Sequence, residues 1–239
     1  MTPSELALLL VESPARERLG LIDANPSVPM VEIAESLQQL CYEVWTNDPQ
    51  RVSDIAGTLE VLSLRSESEE VAAYAEWTAA IEALVSGDHD LAIRWIDLSE
   101  ERFNRLGKDH LAAKTQTSKI YALALLGRYD EAVKCGEAAL EIFLKHGDFY
   151  SAGKIEHNIG NLFWRRDLYR ESEPYLHSAH RRFEAIGDHR QLAMVENCQA
   201  FVKTLQNDFR TAEVIYQSAL ERSKLHDLTV TEAEIETGL

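Results

Sequence analysis

Residues 154–188, KIEHNIGNLFWRRDLYRESEPYLHSAHRRFEAIGD, read as two amphipathic helices joined by a short turn near Asp167. Gly160 in the first helix and Ser172 and Ala179 in the second are small enough to let two backbones approach closely. The pattern recurs every 40 residues. Gly107, Gly147, Gly187 and Asp227 share one column; Ala92, Ala132, Ser172 and Ala212 share a second; Ser99, Ala139, Ala179 and Ala219 share a third. The turn column is Asn47, Gly87, Gly127, Asp167 and Asn207, all residues that tolerate the left-handed backbone with which a helix stops. Pro49, His89, Tyr129, Tyr169 and Phe209 follow two residues later. A fixed period of this length predicts an all-α protein, a solenoid of antiparallel helix pairs that cannot bury their apolar faces singly.

Composition agrees. The chain has 239 residues, 45% of them hydrophobic, with only 11 Gly and 6 Pro. Cys41, Cys135 and Cys198 are too far apart for a zinc site and odd in number, which argues against a disulfide framework and points to a cytoplasmic setting. Leu6–Val11 is a short apolar run flanked by Glu5 and Glu12, unlike a signal peptide. No stretch approaches the length of a membrane span. The net charge of −16 opposes nucleic acid and anionic membranes as partners. That charge is uneven: residues 1–70 balance at −9, residues 111–150 at zero and residues 151–190 at +1.

From the N-terminus, Thr2-Pro3-Ser4-Glu5 has the form of a capping box, and Ser13-Pro14 opens a second helix. Residues 1–28 are expected to form an N-terminal helical cap. Five units are expected within 29–227, at 29–66, 70–106, 110–146, 150–186 and 190–226. Residues 228–239 would be the first helix of an incomplete sixth, as in a chain cut from a longer protein, with Leu228, Val230, Ile235 and Leu239 left as an uncovered strip. Helices are expected at 3–11, 14–24, 29–46, 49–65, 70–86, 89–106, 110–126, 129–146, 150–166, 169–186, 190–206, 209–225 and 229–239. Asp48, Asp88 and Asp208 stand where a carboxylate caps the second helix of a unit.

The spacing of Gly127, Tyr129, Ala132 and Ala139, and of Ile159, Gly160 and Phe163, resembles the tetratricopeptide repeat (TPR). The 40-residue unit is similar to the long form in kinesin light chains and LGN-type polarity adaptors, and to bacterial arrays that precede a caspase-like CHAT protease domain. The resemblance covers about residues 29–239. It implies a right-handed α-solenoid and a non-enzymatic protein-protein interaction scaffold. It also implies that first helices line a concave groove that takes a protein or peptide segment. On this resemblance the groove residues are Tyr74, Trp77 and Ile81; Lys114, Thr117 and Tyr121; Lys154, His157, Asn158, Asn161 and Arg165; and Met194, Asn197 and Phe201.

Asn158 and Asn161 sit in N-I-G-N, like the asparagine pair by which long-repeat relatives hold a peptide backbone; an amide both donates and accepts. Lys114, Lys154 and Arg165 would draw an acidic segment. A larger bacterial protein, such as a CHAT-type protease, is the setting expected for such a recruitment or regulatory part, with a fused or associated effector. The alternative is a structural or self-association array with no peptide ligand. Trp77 and Tyr121 also suit core packing, since aromatics at helical spacing commonly fill cores. No phosphate loop, H-E-x-x-H pair or nucleophile–base spacing is present, so no enzyme activity, metal or cofactor is expected. His177 and His180 lie one turn apart but lack a third ligand at a matching offset.

Overall fold

The computed structural model describes residues 1–226 and Leu228, and every element among them is a helix. The chain divides into two compact units, Met1–Arg128 and Tyr129–Leu239, at the turn of the third sequence repeat. The first unit holds α1 (Pro3–Glu12), α2 (Ala15–Ala24), α3 (Met30–Val44), α4 (Pro49–Arg65), α5 (Glu69–Val85), α6 (His89–Arg105) and α7 (Asp109–Leu125). The second holds α8 (Tyr129–His146), α9 (Phe149–Trp164), α10 (Tyr169–Ile186), α11 (His189–Leu205) and α12 (Phe209–Leu225). Each bound falls within two residues of the sequence expectation. The expected helix at 229–239 and the apolar strip lie outside the described residues, except Leu228, whose N–H donates to Ser223 O at 2.9 Å. Among the described residues no helix is long and apolar enough to cross a membrane.

Helix ends follow the repeat columns. Gly87, Gly127, Asp167 and Asn207 have φ of 83°, 73°, 59° and 63°, and each is followed by an N–H that reaches back five residues to a carbonyl. Asn47 departs from this. It is not left-handed; instead Asp48 N–H reaches back only to Val44 O, just ahead of Pro49, which restricts the backbone before it. Asp48, Asp88 and Asp208 cap α4, α6 and α12 by accepting the N–H of Arg51, Leu91 and Thr211. Asp148 and Asp188 cap α9 and α11 in the same way. The Thr2–Glu5 capping box is formed. Ser13, expected to open α2, instead closes α1, its hydroxyl donating to Leu9 O at 2.7 Å.

In the first unit α1 packs on α3, and α2 packs on α4. Leu6, Leu10, Ile33, Leu37, Ile55 and Leu59 form a fully buried core there. Arg18 fastens α2: it is buried, donating to Ser13 O at 3.2 Å and Asp54 O at 3.1 Å. In the second unit the close approach read from the sequence is present. A Cβ on Gly160 would stand 2.7 Å from Leu176 Cδ2, and Ser172 Oγ donates to Gly160 O at 2.8 Å. Gly153 makes room in the same manner for the Phe183 ring.

Candidate interaction face

The side of α9 away from these packing contacts turns toward α11. His157 Nε2 lies 3.1 Å from Cys198 Sγ, and the rings of Trp164 and Phe201 meet edge to face at 5.1 Å. These two contacts fix which residues share the face. Lys154, Asn158, Asn161 and Arg165 from α9 join Met194, Asn197 and Phe201 from α11. Phe201 is 38% exposed, and the three asparagines and Lys154 are half-buried.

Asn158 and Asn197 make no side-chain hydrogen bond among the described residues. Lys154 has no ion-pair partner there either; its ammonium lies 5.6 Å from the centre of the Tyr150 ring. Burial holds its pKa below the ordinary lysine value, with Asp188 compensating only in part. Asn161 is already engaged within the fold, where its Oδ1 accepts the Trp164 indole N–H at 2.9 Å. That leaves its NH2 as the group available to a ligand. Arg165 lies 5.6 Å over the Trp164 ring. His157, expected in the groove, is buried and bonded to Cys198; burial, and then the charge of Lys154, hold its pKa down to about 4, so it is a neutral support.

The first unit is built differently at matching positions. Tyr74 and Trp77, expected to line a groove, are each 3% exposed and belong to the core. Phe103 meets both rings edge to face, and Tyr42 packs on Trp77. Ile81 is buried as well. Tyr121 is 45% exposed, and it packs edge to face on Trp45 at 5.3 Å. Lys114 and Thr117 are half-buried on α7.

Sequence reasoning missed a row of carboxylates, Glu156 and Glu196 buried and Glu76 half-buried. Glu156 accepts Arg182 Nε at 2.6 Å and Ser178 Oγ at 2.8 Å. Glu196 accepts from Arg222 Nε and Nη2, one edge of the guanidinium, at 3.1 and 3.0 Å. Glu76 takes Arg102 at 2.8 Å. Each Arg stands 26 residues after its Glu, a spacing visible in the sequence but interrupted by Gln116 and Ile142. These pairs join the two helices of a repeat and are architecture. No group of three metal-ligating side chains occurs among the described residues, His177 and His180 included.

No family model and no curated sequence matches the chain. Solved structures do. BtubC (BKLC) from P. vanneervenii superposes with a TM-score of 0.70 at 16% identity, over 94% of this chain and 91% of that one. Aspartyl phosphate phosphatase F from Bacillus subtilis gives 0.73 at 12% identity, over 97% of this chain and 63% of that one. A Rap protein complexed with competence and sporulation factor gives 0.65 at 12% identity, over 94% and 65%. The chain thus spans somewhat under two thirds of the latter two. These neighbours are TPR-type helical repeat proteins, and at such identities the likeness shows the fold alone.

Proposed function

We propose that the α9–α11 face of the second unit binds a protein or peptide segment carrying a carboxylate, and that the chain is a non-enzymatic interaction scaffold. One observation carries this reading. Lys154, Asn158 and Asn197 are partly withdrawn from water, yet no protein group among the described residues meets their polar atoms. A segment supplying a carboxylate and backbone amides would match these donors and acceptors. The zero to slightly positive balance of residues 111–190, in a chain of −16, supports the preference for acid. The fold-level likeness to a Rap protein complexed with a factor supports a polypeptide partner.

The resemblance to arrays preceding CHAT protease domains supports extending the proposal to a larger bacterial protein, in which this array recruits or regulates an effector. The rival is a structural or self-associating array.

The test starts by panning a random peptide library on the chain and titrating a selected peptide by calorimetry. Asn158→Ala should weaken binding about 2- to 13-fold, the range of one lost hydrogen bond. Lys154→Glu should weaken it further and flatten its salt dependence. Asn161→Ala is a poorer probe because it also releases Trp164. Wild-type binding by both Asn158→Ala and Lys154→Glu would put the peptide elsewhere and overturn this face as the site; dimerisation at micromolar concentration with no peptide recovered would decide for the rival.

A further inference from the structure

The α9–α11 face has two unlike ends. At one, the Lys154 ammonium reaches back toward the Tyr150 ring and has no ion-pair partner among the described residues. At the other, Phe201 meets Trp164 edge to face yet is exposed, and exposed Leu205 follows one turn later on α11. We propose that the segment taken by this face is an extended chain in which an aromatic or branched aliphatic side chain stands four residues from the carboxylate. This rests on the binding of an acidic segment at the face, and adds a second anchor, a conformation and a spacing.

The spacing comes from the helix. Lys154 and Trp164 are ten residues apart on α9, and both side chains lean toward its N-terminus. Lys154 leans toward Tyr150, and Trp164 toward Asn161, which accepts its indole N–H at 2.9 Å. At about 1.5 Å per residue the two ends are therefore about 15 Å apart. An extended chain rises about 3.3 Å per residue and turns every second side chain to one face. A separation of four residues, about 13 Å, is the even step that fits, and six, about 20 Å, overshoots. A helical segment would need about ten residues to cover the same distance. The amides between the two ends choose the extended form. Asn158 lies between Lys154 and Trp164, and Asn197 precedes the Cys198 that meets His157; neither amide makes a side-chain hydrogen bond among the described residues. An extended chain offers N–H and C=O groups to such amides, whereas a helix engages its own internally. At the aromatic end, a large apolar side chain laid on Phe201 and Leu205 would take apolar surface out of water. Arg165 also stands there, over the Trp164 ring, but it is exposed, and a cation in full contact with water adds little to an ion pair. The acid therefore belongs at Lys154.

An array of Gly-Ser peptides with blocked ends tests this, each peptide carrying one Asp and one Phe, in either order and at every separation from one to eleven residues. Binding of the wild-type chain should peak at a separation of four. Replacing the Phe of that peptide by Ala should weaken it about 10-fold in calorimetry, as suits a large side chain covered on one side. Phe201→Ala should weaken the Phe peptide by about the same factor and leave the Ala peptide unchanged, while Lys154→Glu should weaken both. A further peptide, in which a free C-terminus four residues after the Phe replaces the Asp, tells a terminal from a side-chain carboxylate; tight binding by either agrees with the proposal. A peak at another separation, a profile flat with separation, or no binding by any peptide would overturn it. A flat profile that Lys154→Glu abolishes overturns the spacing alone and keeps the face as the site. A peak at four that neither Lys154→Glu nor Phe201→Ala diminishes puts the segment elsewhere and overturns both. Circular dichroism will show whether Phe201→Ala unfolds; in that case the wild-type array and Lys154→Glu decide.

Discussion

Tyr74, Trp77, Thr78 and Ile81 of α5 stand 80 residues ahead of Lys154, His157, Asn158 and Asn161 of α9, in the same place of the repeat. On α5 all four are buried; on α9 only His157 is. The backbone is the same helix, so its path does not explain the difference. The first unit fills the position with aromatic rings and a hydrogen bond between Thr78 and Gln38. The second fills it with amides and an ammonium, supported by one imidazole–thiol contact and one aromatic pair. A repeat register therefore sets where a side chain points, and the residues beside it decide whether that place is interior or surface.

The Glu–Arg pairs extend the comparison. Burial raises the Glu76 pKa above the usual carboxylate range, and Arg102 only partly offsets it. Burial also pushes on Glu196, but the bonds from His180 and Arg222 prevail and hold it below that range. Arg222→Met would strip Glu196 of its guanidinium partner and leave it His180 and Ser218, and Arg182→Met would leave Glu156 with Ser178. Each should cost about 2–3 kcal/mol in urea denaturation at pH 7, short of the fully buried figure because the two guanidinium side chains keep 25% and 21% of their exposure. Arg102→Met should cost less, since Glu76 is already closer to taking up a proton. Equal losses in all three would break the contrast.

Packing gives a second, smaller difference. Gly160→Ala drives a methyl into Leu176 and should destabilise the second unit by about 1–3 kcal/mol. The matching Ala80 of the first unit already carries that methyl, and Ala80→Gly should lose about 1 kcal/mol through helix propensity instead. Melting curves of the two variants would show opposite preferences at one repeat position.

Acid should sharpen the contrast least in size but most in direction. Glu196 has a folded pKa below its unfolded one. Its support is present above the unfolded carboxylate range and is lost as pH falls through the folded value. Glu76 has a folded pKa above its unfolded one. Its contribution is present below the unfolded value and is lost as pH rises through the folded value. Going from pH 7 to 4 should thus weaken the second unit relative to the first. Trp164 is the second unit's indole, and Trp45, Trp77 and Trp95 belong to the first, so fluorescence of wild type and Trp164→Phe separates the two during urea titration. His157, whose folded pKa is held down to about 4, loses stability in the same direction, so Glu196→Gln should remove only part of the change; no relative change would contradict the assignment.

The helices were legible because Gly, Asp and Asn recur at fixed places where only a stop or a cap suits them. Gly160 and Ser172 were legible for the same reason, since small residues in step across two helices leave few other uses. The site was less so. Tyr74 and Trp77 have the helical offset of Lys154 and His157, and offset carries no information about which neighbour covers a face. The burial of His157 depends on Cys198, which comes 41 residues later on another helix. The hydrogen bond made by Asn161 depends on the rotamer of Trp164. The Glu–Arg spacing of 26 was a signal in plain view, masked where Gln116 and Ile142 interrupt it.

Within the first unit, Tyr42 OH and Ser118 Oγ meet at 3.0 Å, and Trp45 meets Tyr121. One contact joins α3 to α7 and the other joins Trp45, the residue that ends α3, to α7, both past the intervening α5. Stacked arrays are ordinarily coupled only between nearest neighbours, which is what allows a unit to be copied in or dropped out. Here, inserting one more helix pair between α3 and α7 would shift the two by at least the roughly 10 Å between packed helices and part both contacts. The stretch from Tyr42 to Tyr121 thus has a fixed word length: its letters can be exchanged one at a time, but a syllable can be neither repeated nor skipped.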